Sequence, residues 1–357
     1  PAIADVRGVN FRNIIINGGM DIAQRATSAS SITSTSYNTI DRFVTFMSGL
    51  GTWTQSQSTD VPTGQGFVSS LKMDCTTADA SPASSDYLKI RQRIEGQNLQ
   101  YLKKGTSSAE SLTCSFFVKS NKTGTYICEL FDGDNSRAIS RTYTISSADT
   151  WEKKTVTFPG DTTGALGNDN GDSLRLSFWL GAGSDFTSGT LQSSWTGPSV
   201  NANRAVGQVN LADSTSNEWY VTGIQLEAGS QASDFEFLPT DVNYNRCKRY
   251  YQQVGDTPDG RDESKQGITG QMWTNAQLLP TYALSPSMRT APSMSTSTSS
   301  LGTVYTNGVG LTINSVAANS SSRTHLQPAL STSSAATKGY AGHVDATGGY
   351  LLIDSEL

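Results

Sequence analysis

The chain has 357 residues, of which 36% are hydrophobic and only 16% are charged, and its formal net charge is −5. This length is sufficient for two ordinary domains. The negative charge and the lack of a lysine or arginine stripe exclude a typical nucleic-acid binder, and no run has the apolar length of a membrane-spanning helix.

The remaining composition is rich in Ser, Thr, Gly and Asn. Threonine packs well on a pleated sheet, while Gly and Asn adopt the conformations of tight turns. The composition therefore predicts an all-β protein with little helix.

The first predicted strand is the buried isoleucine run of NIIINGGMDIAQR, with a turn at residues 17–19. YNTIDRFVTFMSG and GTWTQSQ alternate apolar and polar residues and are predicted to form a hairpin. Eight more strands follow at the spacing of an antiparallel sandwich: GFVSSLKMDC, DYLKIRQRIEG, SLTCSFFVKSN, GTYICELFDG, RAISRTYTIS, WEKKTVTFPGD, SLRLSFWLGAGS and EWYVTGIQLEAGS. Residues 186–217 are predicted to be an exposed loop.

The sequence predicts a short helix near Asp241, because DVNYNRCKRYYQQ places Val242, Arg246 and Tyr250 at helical spacing. A polar linker follows this predicted helix. The remainder, which includes VYTNGVGLTINSV and GYAGHVDATGGYLLIDSEL, is predicted to form a second, smaller β domain.

Four cysteines are widely spaced and form no CxxC pair or Cys/His cluster: Cys75, Cys114, Cys128 and Cys247. We interpret them as buried thiols. A disulfide between Cys114 and Cys128 on adjacent strands is the alternative.

Acidic residues cluster in segments 132–135 and 169–172, and their oxygens are of the type that binds calcium. Neither segment continues to a glutamate at EF-hand spacing. We interpret both as polar turns, and we predict no metal and no cofactor.

The two histidines, His325 and His343, have no nucleophile motif nearby, and no hydrolase, metalloprotease or nucleotide-binding motif is present. The sequence predicts a protein that is not an enzyme. A glycan-cleaving enzyme with paired carboxylates is the alternative, because the separation of such a pair depends on the fold.

Four segments, in order, resemble the tail-fibre and virion appendage proteins of tailed bacteriophages. They are NIIINGGMDIAQRATS with YNTIDRF, then TWEKKTVTFPGDTTG, EWYVTGIQLEAGSQASDFEFLP and YNRCKRYYQQ. Further downstream, MRTAPSMS and GGYLLIDSEL resemble the distal domains of these proteins. The resemblance covers most of the chain.

The resemblance implies a fold of two β-sandwich modules joined by a short helix. Residues 1–10 would be a short N-terminal anchor, 11–240 a carbohydrate-binding-module-like jelly roll, 241–266 a neck helix and linker, and 267–357 a C-terminal distal β-sandwich domain. Such proteins commonly assemble as homotrimers.

The implied function is attachment of the virion to the host surface through glycans, with the N-terminus bound to other virion proteins. The location would be the virion, assembled in the host cytoplasm. Because the anchor is short, a head fibre or a capsid decoration protein without a receptor role is the alternative.

Large aromatic residues supply the predicted sites. Trp151 and Trp219 are expected in the core of the jelly roll. Tyr37, Trp53 and Trp195 lie in or near loops and are the candidates for stacking on a sugar. If three chains meet at the neck, Val242, Cys247 and Tyr250 are expected near the axis.

Overall fold

The computed structural model describes residues 11–255, 268–297, 301–333, 336–346 and 349–357. It divides into two compact units, residues 1–239 with Leu357 and residues 240–356. The predicted all-β class is confirmed, because strands dominate both units. The predicted anchor and residues 256–266 of the predicted linker lie outside the described residues.

Unit 1 is a sandwich of two six-stranded sheets. Its strands are β1 (Ser28–Ile32), β2 (Ser36–Tyr37), β3 (Val44–Ser48), β4 (Thr52–Ser58), β5 (Ser70–Thr77), β6 (Tyr87–Glu95), β7 (Leu112–Ser120), β8 (Gly124–Asp132), β9 (Arg137–Ile145), β10 (Glu152–Phe158), β11 (Asp172–Ala182) and β12 (Glu218–Ala228). The front sheet has the order β1-β4-β5-β12-β7-β10, and the back sheet has the order β2-β3-β6-β11-β8-β9.

The alternation of side chains along each strand explains how the two sheets pack. In β7, Cys114, Phe116 and Val118 are buried in the core, and in β11 Leu176 and Phe178 are buried in the same cluster. Successive side chains in a strand point to opposite faces, so the residues between them point outward from the sandwich. The eight strands predicted from β5 to β12 are confirmed.

Two predictions near the N-terminus are wrong. The predicted hairpin does not form, because β3 belongs to the back sheet and β4 to the front sheet. The isoleucine run is buried at Ile15 and Ile16 but is not a strand. The predicted turn is present, since the Met20 N–H donates to the Asn17 carbonyl over 3.0 Å.

The segment between β11 and β12, residues 183–217, packs partly on the sandwich. It contains helix α1 (Ser184–Thr187) and short 3₁₀ helices at Asn201–Asn203 and Leu211–Asp213. Two further 3₁₀ helices span Gly96–Asn98 and Gln100–Leu102. Ala205 and Leu211 are fully buried, so the prediction of an exposed loop is only partly correct.

Unit 2 begins with helix α2 (Thr240–Lys248), as the sequence predicts. Its strands are β13 (Tyr251–Gly255), β14 (Ile268–Thr274), β15 (Gln277–Pro280), β16 (Tyr282–Ala283), β17 (Ser293–Thr296), β18 (Thr303–Thr306), β19 (Val309–Ser321), β20 (His325–Thr332), β21 (Ala341–Asp345) and β22 (Tyr350–Asp354). A three-stranded sheet, β13-β22-β17, shares one core with a seven-stranded sheet, β15-β14-β21-β18-β19-β20-β16. The larger sheet closes on itself because β15 also pairs with β20.

The neck region differs from its prediction in the length of its helix. The chain after α2 forms strand β13, so the tyrosine pair of YYQQ does not extend the helix. Cys247 and Tyr250 are each 1% exposed within a single chain, and only Val242 is half-buried. Cys247 and Tyr250 are therefore packed within their own chain, and the place of the three residues near a trimer axis stays a prediction.

All four cysteines are free and buried, as predicted. Cys114 lies in the front sheet and Cys128 in the back sheet, so they are not on adjacent strands. Within the described part of the chain, no helix is long and apolar enough to cross a membrane.

Candidate functional site

Part of the outer face of the back sheet is covered by the segment between β11 and β12. The Lys89 Nζ lies 3.6 Å from the centre of the Trp179 ring, and the two residues pair across β6 and β11. Phe186 packs on Trp179 with ring centres 5.4 Å apart, and the Arg204 Nε donates to Glu129 over 2.6 Å. Lys89, Glu129 and Trp179 are almost completely buried. The Trp179 ring itself is therefore closed to a ligand, while the Phe186 and Tyr87 rings beside it are half-buried.

The outer face of the front sheet carries a row of cationic and aromatic side chains. Tyr220 of β12 pairs with Lys72 of β5 on one side and with Lys119 of β7 on the other. Trp151 directly precedes β10 at the edge of the sheet. We call this surface the Trp151 face, and it comprises Lys72, Lys119, Trp151 and Tyr220 with the carboxylates of Asp60, Asp74 and Glu218.

Specific contacts hold the Trp151 ring in place. Its Nε1 donates to Asp60 Oδ1 over 2.9 Å, and Asp60 also pairs with Lys119. The Trp151 and Tyr220 rings meet edge to face with centres 6.2 Å apart. The Lys119 Nζ lies 4.4 Å from the centre of the Tyr220 ring, a cation–π distance. Trp151 is half-buried, so part of its ring is open to solvent.

The carboxylates of the Trp151 face are in different environments. Glu218 accepts from the Lys72 Nζ over 2.6 Å and from the Tyr220 hydroxyl over 2.5 Å. Burial raises the pKa of Glu218, but these hydrogen bonds outweigh it and the pKa is lowered overall. Burial and the neighbouring Glu218 carboxylate raise the pKa of Asp74, and Lys72 only partly offsets them. The face thus offers fixed acceptors beside ammonium donors.

An aromatic pocket continues the same face. Phe117 lies two residues from Lys119 in β7, and it packs edge to face on Phe67 with ring centres 5.5 Å apart. Phe67 also contacts Phe235 and Phe237, and Phe237 is 55% exposed. The pocket measures about 220 Å³. This is below the ~300–1,000 Å³ of most ligand pockets, so we treat it as an extension of the Trp151 face.

The three residues predicted to bind sugar are not brought together. Trp53 is fully buried in the core, where its Nε1 donates to the Leu50 carbonyl over 2.7 Å, so its prediction as a sugar contact is wrong. Trp195 is half-buried, and its Nε1 donates to the Pro159 carbonyl. Tyr37 is half-buried, with the Arg25 guanidinium 5.1 Å from its ring centre.

The two tryptophans predicted for the core differ in their positions. Trp219 is fully buried, as predicted, whereas Trp151 lies on the outer face. Strand alternation predicts that Trp151 faces outward. Val156 and Phe158 in the same segment are buried, and Trp151 is an odd number of residues from both of them.

Hydrogen bonds and ion pairs with other groups of the chain engage the carboxylates of both acidic segments. Asp132 accepts from the Lys104 Nζ over 2.5 Å, and Asp161 pairs with the same ammonium over 2.9 Å. Asp169 accepts from the Gly171 N–H, as in a polar turn. Among the described residues, no group of three or more His, Cys, Asp or Glu side chains is placed to hold a metal ion.

No family model and no curated protein matches the sequence. Solved structures similar to the chain include the enzymatically active domain of tailspike protein 4 from bacteriophage CBA120, with 12% identity and a TM-score of 0.32 over 61% of this chain and 21% of that chain. A family 11 carbohydrate-binding module from Clostridium thermocellum, in complex with a mixed-linked tetrasaccharide, has 12% identity and a TM-score of 0.28 over 58% of this chain and 99% of that chain.

A xylan-binding domain from Paenibacillus barcinonensis has 10% identity and a TM-score of 0.27 over 57% of this chain and 94% of that chain. The chain spans only about a fifth (21%) of the length of the tailspike structure. All these TM-scores are below 0.5, so the functional assignment rests on the geometry of the Trp151 face.

Proposed function

We propose that this chain is a non-enzymatic, carbohydrate-binding protein of a bacteriophage virion, a tail fibre or receptor-binding appendage that attaches the particle to glycans of the host surface. The observation that carries the binding role is the half-open Trp151 ring, framed by lysines and carboxylates on the outer face of the front sheet. The virion role rests on the four sequence segments that resemble phage appendage proteins.

The chemistry of the Trp151 face suits a saccharide. One face of a pyranose ring is apolar and stacks on an aromatic ring, while its hydroxyls need donors and acceptors at the rim. Lys72 and Lys119 supply donors, and the ionised Asp60 and Glu218 supply acceptors. Hydrogen bonds to charged groups are stronger than those between neutral groups, so a few of them can orient a bound sugar.

The position of the paired carboxylates favours binding without cleavage. Glycosidases commonly hold their two carboxyl groups about 5 to 9.5 Å apart, on either side of the bond that breaks. Asp74 and Glu218 pair directly across β5 and β12, and the Lys72 Nζ lies 3.9 Å from Asp74 and 2.6 Å from Glu218. The two carboxylates thus lie side by side on one face of the sheet, so they would approach a bound sugar from the same side and not flank its glycosidic bond.

Trp151→Ala in the full chain tests the binding role on an array of host-type glycans. We expect binding to the best glycan to weaken about tenfold or more, because aromatic anchors carry much of the energy of an interface. Trp273→Ala is the matched control, since Trp273 is 59% exposed in β14 of unit 2. Unchanged glycan binding by the Trp151 variant, with binding intact in the wild type, would exclude the Trp151 face.

A homotrimer and attachment to other virion proteins through the N-terminus are parts of the same proposal. The mass of the full chain in solution tests the trimer. A trimer would present several copies of a weak glycan site, and the resulting avidity would strengthen attachment. A monomer at all concentrations would favour a protein held in place by its virion partners.

A further inference from the structure

A groove crosses the outer face of the closed sheet in unit 2, over strands β14, β21 and β18. Thr269, His343 and Tyr305 pair across these three strands and therefore point to the same side. The hairpin turn at Asn307 and Gly308 closes one end of the groove. The groove measures about 740 Å³, well within the usual range of about 300 to 1,000 Å³ for ligand pockets.

A stacked pair of rings forms one wall of this groove. The Tyr305 and His343 rings lie 19° from parallel with centres 5.4 Å apart. Tyr305 remains 43% exposed. Gly310 is its neighbour on β19 and has no side chain to cover the ring. An exposed, pre-positioned aromatic ring in a concave site is the usual means of holding the apolar face of a ligand.

The charge of the groove separates it from the Trp151 face. Its described lining is Thr269, Gly270, Tyr305, Thr306, Asn307, Gly308, Ala341, Gly342 and His343. None of these is Asp, Glu, Lys or Arg, and His343 is the one titratable group apart from the tyrosine. Hydroxyl, amide and backbone groups supply the hydrogen bonds, so the lining offers no carboxylate, ammonium or guanidinium group to a charged ligand.

We propose that this groove is a second binding site, specific for a neutral saccharide. A sugar ring lies against the Tyr305–His343 pair, and its hydroxyls bond with Thr269 and Asn307. This site is independent of the Trp151 face and differs from it in ligand class, since one site is charged and the other neutral. One chain would then bind two kinds of glycan.

Native affinity electrophoresis of the full chain tests the groove. The gels contain one of four neutral polysaccharides, namely galactomannan, mixed-linked β-glucan, xylan or dextran. We expect at least one of them to retard the wild-type chain. Tyr305→Ala should weaken that retardation about tenfold or more, whereas Tyr305→Phe, which keeps the ring, should largely retain it.

Two controls make the result specific. Tyr101→Ala removes a tyrosine that is 50% exposed in unit 1 and should bind as the wild type does. The neutral polysaccharide should also retard the Trp151→Ala variant as strongly as it retards the wild type. The thermal midpoint of each variant checks folding, and His343→Ala gives a second test of the ring pair if Tyr305→Ala lowers that midpoint.

The other outcomes overturn the proposal. If none of the four polysaccharides retards the wild type, the groove is not a neutral-saccharide site. If Trp151→Ala abolishes the retardation and Tyr305→Ala does not, the Trp151 face binds the neutral polysaccharide and the groove has no role. Neither of these results contradicts glycan binding by unit 1, so the two proposals fail separately.

Discussion

Glu129 lies on the outer face of the back sheet, where it pairs with Arg204 of the segment between β11 and β12. It is fully buried and accepts from the Arg204 Nε over 2.6 Å and from the Trp179 Nε1 over 2.8 Å. Burial raises the pKa of Glu129, but Arg204, Lys89 and Arg91 outweigh it and lower the pKa overall. The carboxylate therefore neutralises several buried cations.

Glu129→Gln should lower the free energy of unfolding by about 3 kcal/mol, because the Arg204 guanidinium would stay buried without its counter-charge. Urea unfolding at neutral pH measures this change. Glu110→Gln is the matched control, since the Lys103–Glu110 pair is 54% and 41% exposed at its side chains and should contribute less than about 1 kcal/mol. An equal loss of unfolding free energy in both variants would contradict the claim that a buried ion pair contributes more to stability than an exposed one.

The same variant has a defined pH dependence. The pKa of Glu129 is lowered from its ordinary value of 4.5, so its contribution to stability is complete above pH 4.5 and declines as the pH falls towards the folded pKa. The stability difference between wild type and Glu129→Gln should therefore shrink below pH 4.5. A difference that grows in acid would contradict this assignment.

Strand alternation predicts from the sequence whether Trp53 and Trp151 face the core or the outside of the sandwich. In TWTQSQS, Trp53 is the one apolar side chain of an otherwise polar strand, and this pattern indicates an inward position. Trp151 precedes a strand whose apolar residues have the opposite parity, which indicates an outward position. Proximity to loops, on which the sugar-binding candidates were chosen, predicts exposure less well than strand alternation does. The contacts of Trp151 with Asp60 and Tyr220 join distant segments and could not be predicted.

At the scale of single elements, the bulge in β12 shapes the aromatic pocket beside the Trp151 face. The pairing of β12 with β7 shifts between Thr222 and Gln225, and Gly223 has a φ of +62°. A Cβ at Gly223 would lie 2.5 Å from the Cζ of Phe67. A side chain at this position would thus be strained and would also displace the ring.

Gly223→Ala should lower the free energy of unfolding by about 1–2 kcal/mol for the left-handed backbone and by about 1–3 kcal/mol more for the clash. Gly207→Ala separates these two effects, since Gly207 has a φ of +86° but no atom within 4 Å of a Cβ. Chemical unfolding of both variants measures the difference. Equal destabilisation would mean that Phe67 moves away at little cost.

Strands were predicted well and their pairing less well. The strands from β5 to β12 follow from local alternation, which the sequence displays directly. The false hairpin of β3 and β4 shows the limit, because adjacent segments with the right pattern can enter opposite sheets. The cover that Phe186 and Arg204 form over the back sheet depends on long-range contacts with Trp179 and Glu129. A Gly- and Ser-rich segment gives no local sign of such contacts.

At the scale of the whole molecule, each of the two units has a main hydrophobic core of its own in the described part of the chain. Among the described residues, the main cluster of unit 1 contains only residues up to Leu226, and the cluster of unit 2 contains only residues from Val254 onward. Each core combines residues from both sheets of its own unit. A unit with its own core can fold alone, so the two proposed glycan sites belong to separable parts of the chain.

We therefore predict that residues 1–239, produced alone, fold with a thermal midpoint close to that of unit 1 in the full chain. Calorimetry of both proteins measures this. The fragment should retain the binding that depends on Trp151 and lose the retardation by neutral polysaccharide, because Tyr305 and His343 belong to unit 2. An unfolded fragment would show that unit 1 depends on unit 2 for its stability. A folded fragment that is still retarded by the neutral polysaccharide would place that binding in unit 1 and contradict the assignment of the groove.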